Sequence, residues 1–268
     1  MERKEVRLRG GTLAYHEAGS GSPLLFVHGV FANHLLWSKL VPLLSDRYRC
    51  VVPDWPLGSH SIPFGTELTP FGVADMIAEL AGELGLEKPT LVGNDTGGAL
   101  CQMAVVRHAD LASRMVLTNC DAYDKFPPQP FTYLVWVPRI PGAMTLLANS
   151  MRIRANRRLP IAYGWLSKRL DRQTEEAFVR PVIENKAVRS DIAGFLRNSD
   201  KRDLMATAAE YGSIEIPVTL AWGEDDRAFK LSVAERLERD IPNAELHRIP
   251  DSYTFVPIDQ PELLAAVF

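Results

Sequence analysis

Hydrophobic and polar positions change period several times along this 268-residue chain. Glu5–Arg9 and Thr12–Glu17 alternate polar and apolar side chains around Gly10-Gly11, which predicts a hairpin of strands each buried on one face. Pro23–Val27 is a short, uninterrupted apolar run, the pattern of a strand covered on both sides. A helical period follows over Ala32–Leu44, then a strand at Tyr48–Pro53. Thr69-Pro70 reads as an N-cap with proline at the first helical position. The helix it opens carries apolar residues at Val73, Met76, Ile77, Leu80 and Leu84. Strand Thr90–Val92, a helix to about His108 and strand Met115–Thr118 continue the alternation. Strands and helices in this order predict an α/β fold, a mostly parallel sheet with helices on both faces.

From Tyr123 to Ala209 the pattern changes to prolines and amphipathic helical stretches, among them Met144–Met151, Thr174–Ile183 and Asp191–Leu196. Val218–Trp222 restores the strand pattern, followed by a helix near Leu231–Arg239, a strand at Glu245–Ile249 and a last helix from Pro261. The expected organisation is a core of residues 1–122 and 210–268, interrupted by a helical insertion at 123–209.

Composition adds little to this picture, and charge adds one feature. With 46% hydrophobic and 24% charged residues, the chain has the make-up of an ordinary globular enzyme. A net charge of −3 argues against general nucleic-acid affinity. Residues 123–209 hold 15 Lys/Arg against 8 Asp/Glu, net +7, so the remainder is net −10. Basic residues crowd at Arg152-Ile-Arg-Ala-Asn-Arg-Arg158, which reads as a solvated helical surface or a site for an anionic substrate or acidic partner. No apolar run reaches the roughly 20 residues of a membrane span. Met1–Glu5 opens directly into strand-like sequence rather than a signal peptide. A cytoplasmic monomer or small homo-oligomer with no membrane partner is the expectation. Cys50, Cys101 and Cys120 lie far apart in apolar surroundings, as buried free thiols do, and no cysteine metal site is expected.

The candidate chemistry lies at Gly93-Asn-Asp-Thr-Gly97. This is the small-x-nucleophile-x-small pattern of a strand-to-helix elbow, with Asp95 at its tip. A carboxylate attacks amides poorly, but it can displace a leaving group at an sp3 carbon and form an alkyl ester. Together with His28-Gly29 after an early strand and Trp222-Gly-Glu-Asp-Asp226 after a later one, the elbow resembles the α/β-hydrolase family over nearly the full length. The aspartate resembles that of haloalkane dehalogenases and epoxide hydrolases. The resemblance implies an α/β-hydrolase fold whose helical insertion is a cap.

It also implies catalytic roles. Asp95 and Asp226 become the expected catalytic pair, with Asp226 orienting a histidine. An oxyanion hole is expected from the backbone N–H groups of Val30 and Thr96. Asp121, beyond the strand Met115–Thr118, is a further carboxylate that could face the pocket. The pattern departs at the base, because Thr254 stands where the family places its histidine. An alcohol is too weakly basic to replace an imidazole. His60 and His34, on loops at the carboxyl ends of strands, are the possible surrogates. Halide-binding side chains are missing next to Asp95 and His28-Gly29. Tyr133 and Tyr163 could protonate an opening epoxide, and Phe31 and Trp55 are expected to line an apolar pocket with Trp37, Trp136 and Trp165 nearby. No cofactor or metal is expected.

The functional expectation is a hydrolase acting through Asp95 on a small apolar epoxide, ester or activated C–X bond. Two alternatives remain open. One is a lyase, isomerase or cyclase using Asp95 as general acid or base. The other is a catalytically retired ligand-binding protein.

Overall fold

A computed structural model describes residues 1–268. Eight strands form one sheet: β1 (Glu2–Leu8), β2 (Gly11–Ala18), β3 (Ser22–Val27), β4 (Tyr48–Pro53), β5 (Thr90–Asp95), β6 (Arg114–Cys120), β7 (Val218–Gly223) and β8 (Ala244–Ile249). Their spatial order is β1-β2-β4-β3-β5-β6-β7-β8. β1 and β2 form the predicted hairpin, and β2 joins β4 antiparallel. From β4 onward every pairing is parallel. Leu24–Val27, Leu91–Asp95 and all of Val218–Gly223 are buried, which is why these segments read as continuous apolar runs rather than alternations.

Helices α1 (Val41–Leu44), α2 (Pro70–Glu83) and α3 (Thr96–Arg107) follow β3, β4 and β5. α2 starts where the sequence predicts, the Thr69 hydroxyl accepting from the Gly72 N–H at 3.0 Å. The helix expected over Ala32–Leu44 is instead a 3-10 turn at His34–Trp37 and the single turn α1. Pro42 is the reason: without an N–H, and restricting the residue before it, it starts a helix but does not continue one.

Between β6 and β7 the chain forms α4 (Ala143–Ser150), α5 (Arg154–Arg157), α6 (Arg172–Glu184), α7 (Lys186–Asn198) and α8 (Lys201–Ala209), with no named strand. α6 and α7 bury Phe178, Val182, Ile192 and Phe195. This insertion is fastened to the loop after β4. Asp191 accepts from the Phe64 and Gly65 N–H groups at 2.7 and 3.1 Å, and the Ser59 hydroxyl donates to the Phe178 carbonyl at 2.6 Å. α9 (Leu231–Asp240), α10 (Val256–Asp259) and α11 (Pro261–Ala265) complete the core. The carboxyl ends of β3, β5, β6 and β7 therefore meet beneath the insertion, the place where an open α/β sheet holds its ligands.

Candidate active site

Asp95 occupies the turn between β5 and α3 with φ 55° and ψ −133°, a region that side chains other than glycine rarely enter. The glycines around it are demanded by packing. A Cβ on Gly97 would lie 2.0 Å from the Val27 carbonyl oxygen, and one on Gly98 would lie 2.3 Å from the Cys120 Cβ. One on Gly93 would lie 2.7 Å from the Gly98 Cα. Strand and helix thus approach closely enough to hold the strained turn. Gly97→Ala is expected to force β3 and α3 apart and cost about 2 kcal/mol, as overpacking does. Urea unfolding of the variant checks this.

The Asp95 carboxyl is nearly buried, pressed against Gly29, whose Cβ position would be 2.1 Å from Asp95 Oδ2. Burial raises its pKa to about 7, with the Asp226 charge adding to the rise and the Thr96 N–H opposing it. Asp226 is held by the Ala228 and Phe229 N–H groups on Oδ1, and by Asn119 Nδ2 (2.7 Å) and the Thr254 hydroxyl (2.8 Å) on Oδ2. Burial outweighs these donors and takes its pKa to about 7 as well. Asp121 accepts from the Thr96 hydroxyl at 3.0 Å, while its Oδ1 is buried without a partner. Burial and the Asp95 charge push its carboxyl well above the usual range. Three carboxyls buried this closely do not all ionise together near neutrality.

Thr254 is fully buried beside Asp226, on the segment after β8, and its carbonyl accepts from Asn94 Nδ2 at 2.7 Å. None of the six histidines lines the cavity above Asp95. His60 is no surrogate base. Its Nδ1 accepts from the Gly58 N–H at 3.3 Å and its Nε2 faces Asp191 at 3.1 Å, so it joins the β4 loop to α7. His34 is also turned away, with Nδ1 2.8 Å from Asp54 and its ring stacked on His16 at 3.6 Å. His16, His34 and Asp54 have metal-ligand spacing. His28 is buried, Nε2 accepting from the Trp55 N–H, and burial lowers its pKa to about 4. It braces the turn as a neutral ring.

The cavity has a volume of about 80 Å³ and is walled almost wholly by apolar side chains. Val30, Thr96, Phe31, Tyr133 and Tyr163 line it as the sequence suggests, and Asp95 is its only carboxylate, imidazole or cation. Trp55 does not reach it, being fully buried with its indole N–H donated to the Phe26 carbonyl. Trp37 is core and Trp136 is exposed. The two tyrosines present rings rather than acids. Tyr133 donates its proton to the Ile161 carbonyl and Tyr163 to the Phe31 carbonyl, each at 2.7 Å. Burial raises both phenols further, Tyr133 to about 12.

Asn119 and Asn94 are not singled out by any sequence motif, yet both hold the site together. Asn119 clamps Asp226 and also accepts from the Gly223 N–H at 2.6 Å, and Asn94 joins β5 to the Thr254 segment and to Thr118. The one signal for them is a polar amide inside an otherwise apolar strand, where burial demands a partner.

Residues 22–261 match the family model described as alpha/beta hydrolase fold. Haloalkane dehalogenase 2 of Mycobacterium bovis is 27% identical over 96% of this chain and 90% of its own. A cis-3-alkyl-4-alkyloxetan-2-one decarboxylase of Xanthomonas campestris is 26% identical, over 98% and 92%. The solved epoxide hydrolase CorEH superposes with a TM-score of 0.83 at 20% identity, over 99% of this chain and 96% of that one.

Proposed function

This chain belongs to the α/β-hydrolase fold family, and from that premise we propose that it acts through Asp95 as nucleophile on a small, apolar, electrophilic substrate. The observation that supports this reading is the isolation of Asp95, the sole ionisable carboxyl facing an apolar cavity, on a strained turn. A desolvated carboxylate has few competitors for the electrophile. Asp95 attacks an sp3 carbon, its electron pair forming the new C–O bond as the leaving group departs with the old bond pair. The second carboxyl oxygen becomes an ester carbonyl facing the Thr96 and Val30 N–H groups.

The leaving group is constrained by what the wall lacks. No indole or side-chain amide faces the cavity to hold a halide, and the tyrosine protons are already given to carbonyls. A carboxylate needs neither device. The alkyl carbon of a strained cyclic ester therefore fits best, and the Xanthomonas relative is named for such a ring with two alkyl arms.

Incubation with panels of β-lactones, epoxides and 1-haloalkanes, followed by intact-protein mass spectrometry, tests the assignment. Ring opening should add the whole substrate mass to the peptide carrying Asp95, and a haloalkane its mass less HX. Unmodified protein across all three panels, with no substrate consumed, would return the chain to the ligand-binding alternative.

The attacking form is the carboxylate, and the Asp95 pKa sits at about 7. Adduct formation is thus expected to rise about tenfold per pH unit below 7 and to level off above it. Rates across pH 5–9, pH values chosen to bracket that point by about two units, check this. A second reading, proton transfer by Asp95 without an ester, is favoured by the two carboxyls both near 7. It predicts substrate consumption with no adduct at any time.

A further inference from the structure

Ten large hydrophobic side chains are exposed on this chain, and six of them fall between residues 136 and 161: Trp136, Ile140, Leu146, Ile153, Leu159 and Ile161. Leu146 is 74% exposed and Trp136 64%. Ile161 itself lines the cavity, and each of the others lies within four residues of one that does, Leu134, Met144, Leu147, Met151 or Ile161. Scattered exposed apolar residues are ordinary, but a concentration around a cavity marks an interaction site.

Charge says what kind. Residues 125–170 contain eight Lys/Arg and no Asp/Glu. Some of these cations are answered from outside the segment. Glu175 on α6 lies 2.6 Å from Arg158, 3.7 Å from Arg157 and 3.8 Å from Arg154, and Lys168 and Arg169 pair with Asp225 and Asp251. Arg139 and Arg152 are not answered. Arg139 lies over the Trp136 ring at 5.2 Å and donates only to carbonyls, and Arg152 donates to the Asn149 amide oxygen. Arg154 stays half exposed.

Exposed aromatic and aliphatic side chains interleaved with guanidinium groups suit one phase boundary above others, the headgroup region of an anionic bilayer. Such contact needs no spanning helix, and no helix here is long and apolar enough to cross a membrane. The side chains project from short turns and helices, α4 and α5 being eight and four residues long.

We propose that this face of the helical insertion docks on an anionic lipid surface, placing the cavity mouth where apolar substrates are dissolved. The inference stands on the surface alone and does not depend on how Asp95 reacts.

Co-sedimentation of the full chain with phosphatidylcholine vesicles, with and without about one third phosphatidylglycerol, tests it. Binding should be about tenfold stronger with the anionic lipid at low salt and fall steeply as salt screens it. Trp136→Ser with Ile153→Ser should lower binding about tenfold. Arg152→Gln with Arg154→Gln should remove the preference for phosphatidylglycerol. None of these four side chains lines the cavity, so adduct formation by soluble substrates should be unchanged. No binding to either vesicle, or binding equal in the wild type and the Trp136/Ile153 variant, overturns the proposal. So does a dimer in sedimentation velocity that the same variant dissociates, which would assign the face to a second copy.

Discussion

On the ester mechanism proposed above, Thr254→His is expected to raise the steady-state rate by about 10²–10⁴, by speeding hydrolysis of the Asp95 ester. Hydrolysis of an Asp95 ester requires water to attack the ester carbonyl while losing a proton. Near Asp95 the available groups are carboxyls that burial holds partly protonated, a threonine hydroxyl and two committed phenols. The hydroxyl and the phenols are too weakly basic, and Asp226 does not line the cavity, its oxygens being taken by the Ala228, Phe229, Asn119 and Thr254 donors. The scaffold for an imidazole nevertheless survives. The Thr254 hydroxyl already donates to Asp226 Oδ2 at 2.8 Å, the bond an imidazole N–H would make, and Asn119 holds that carboxyl in place. An imidazolium forming there would also stabilise the ionised form of Asp226. Two measurements separate the steps: adduct lifetime by mass spectrometry should shorten, and the first-order rate of adduct formation should change little. An adduct as long-lived in the variant as in the wild type would show that Thr254 does not limit hydrolysis.

Asp95→Asn is expected to abolish alkylation, lowering its rate by about 10⁴-fold or more, as loss of a nucleophile does. Asparagine suits this position structurally, because it is nearly isosteric with the aspartate that already holds this backbone conformation. The elbow should therefore persist, and the loss reads on chemistry rather than folding. Stability supplies an independent readout. In the folded protein the Asp95 pKa stands at about 7, above its ordinary 3.8, so folding disfavours the charged form. The wild type should lose stability as pH rises between those two values, and the amide variant lacks that contribution. Urea unfolding near pH 5 and pH 8, compared between the two proteins, should show the variant's relative gain growing with pH, the first value lying inside that span and the second about one unit above it. A difference that does not change with pH would place the buried charge elsewhere in the carboxyl cluster.

Much of this arrangement is legible in the order of residues alone. β3, β4, β5, β6 and β7 fall where apolar runs predict strands, because a strand covered on both faces must be apolar throughout, whereas the edge strand β8 stays partly exposed. The elbow can be read because Gly93, Gly97 and Gly98 answer a local demand for close approach. The failures share a cause. The helix over Ala32–Leu44 has the right period, yet Pro42 and the Asn33 side chain, which accepts from the Leu35 N–H, break it into shorter turns. His60 and Trp55 lie on a loop beside the site in sequence, but their side chains are spent on Asp191 and on the Phe26 carbonyl. Loop sequence does not encode the direction of a side chain.

What the sequence determined by itself is therefore the order of the layers and the carboxylate at the elbow. These follow from local sterics, from burial that writes a period into the chain, and from motif order. Only the tertiary structure decided which polar groups remain free. It gives the hydroxyls of Tyr133 and Tyr163 to carbonyls, takes His34 and His60 away to other carboxylates, and leaves Asp95 alone in an apolar cavity beneath the insertion. The reason is physical: buried donors and acceptors must be paired, and their partners in this site lie up to 160 residues away along the chain.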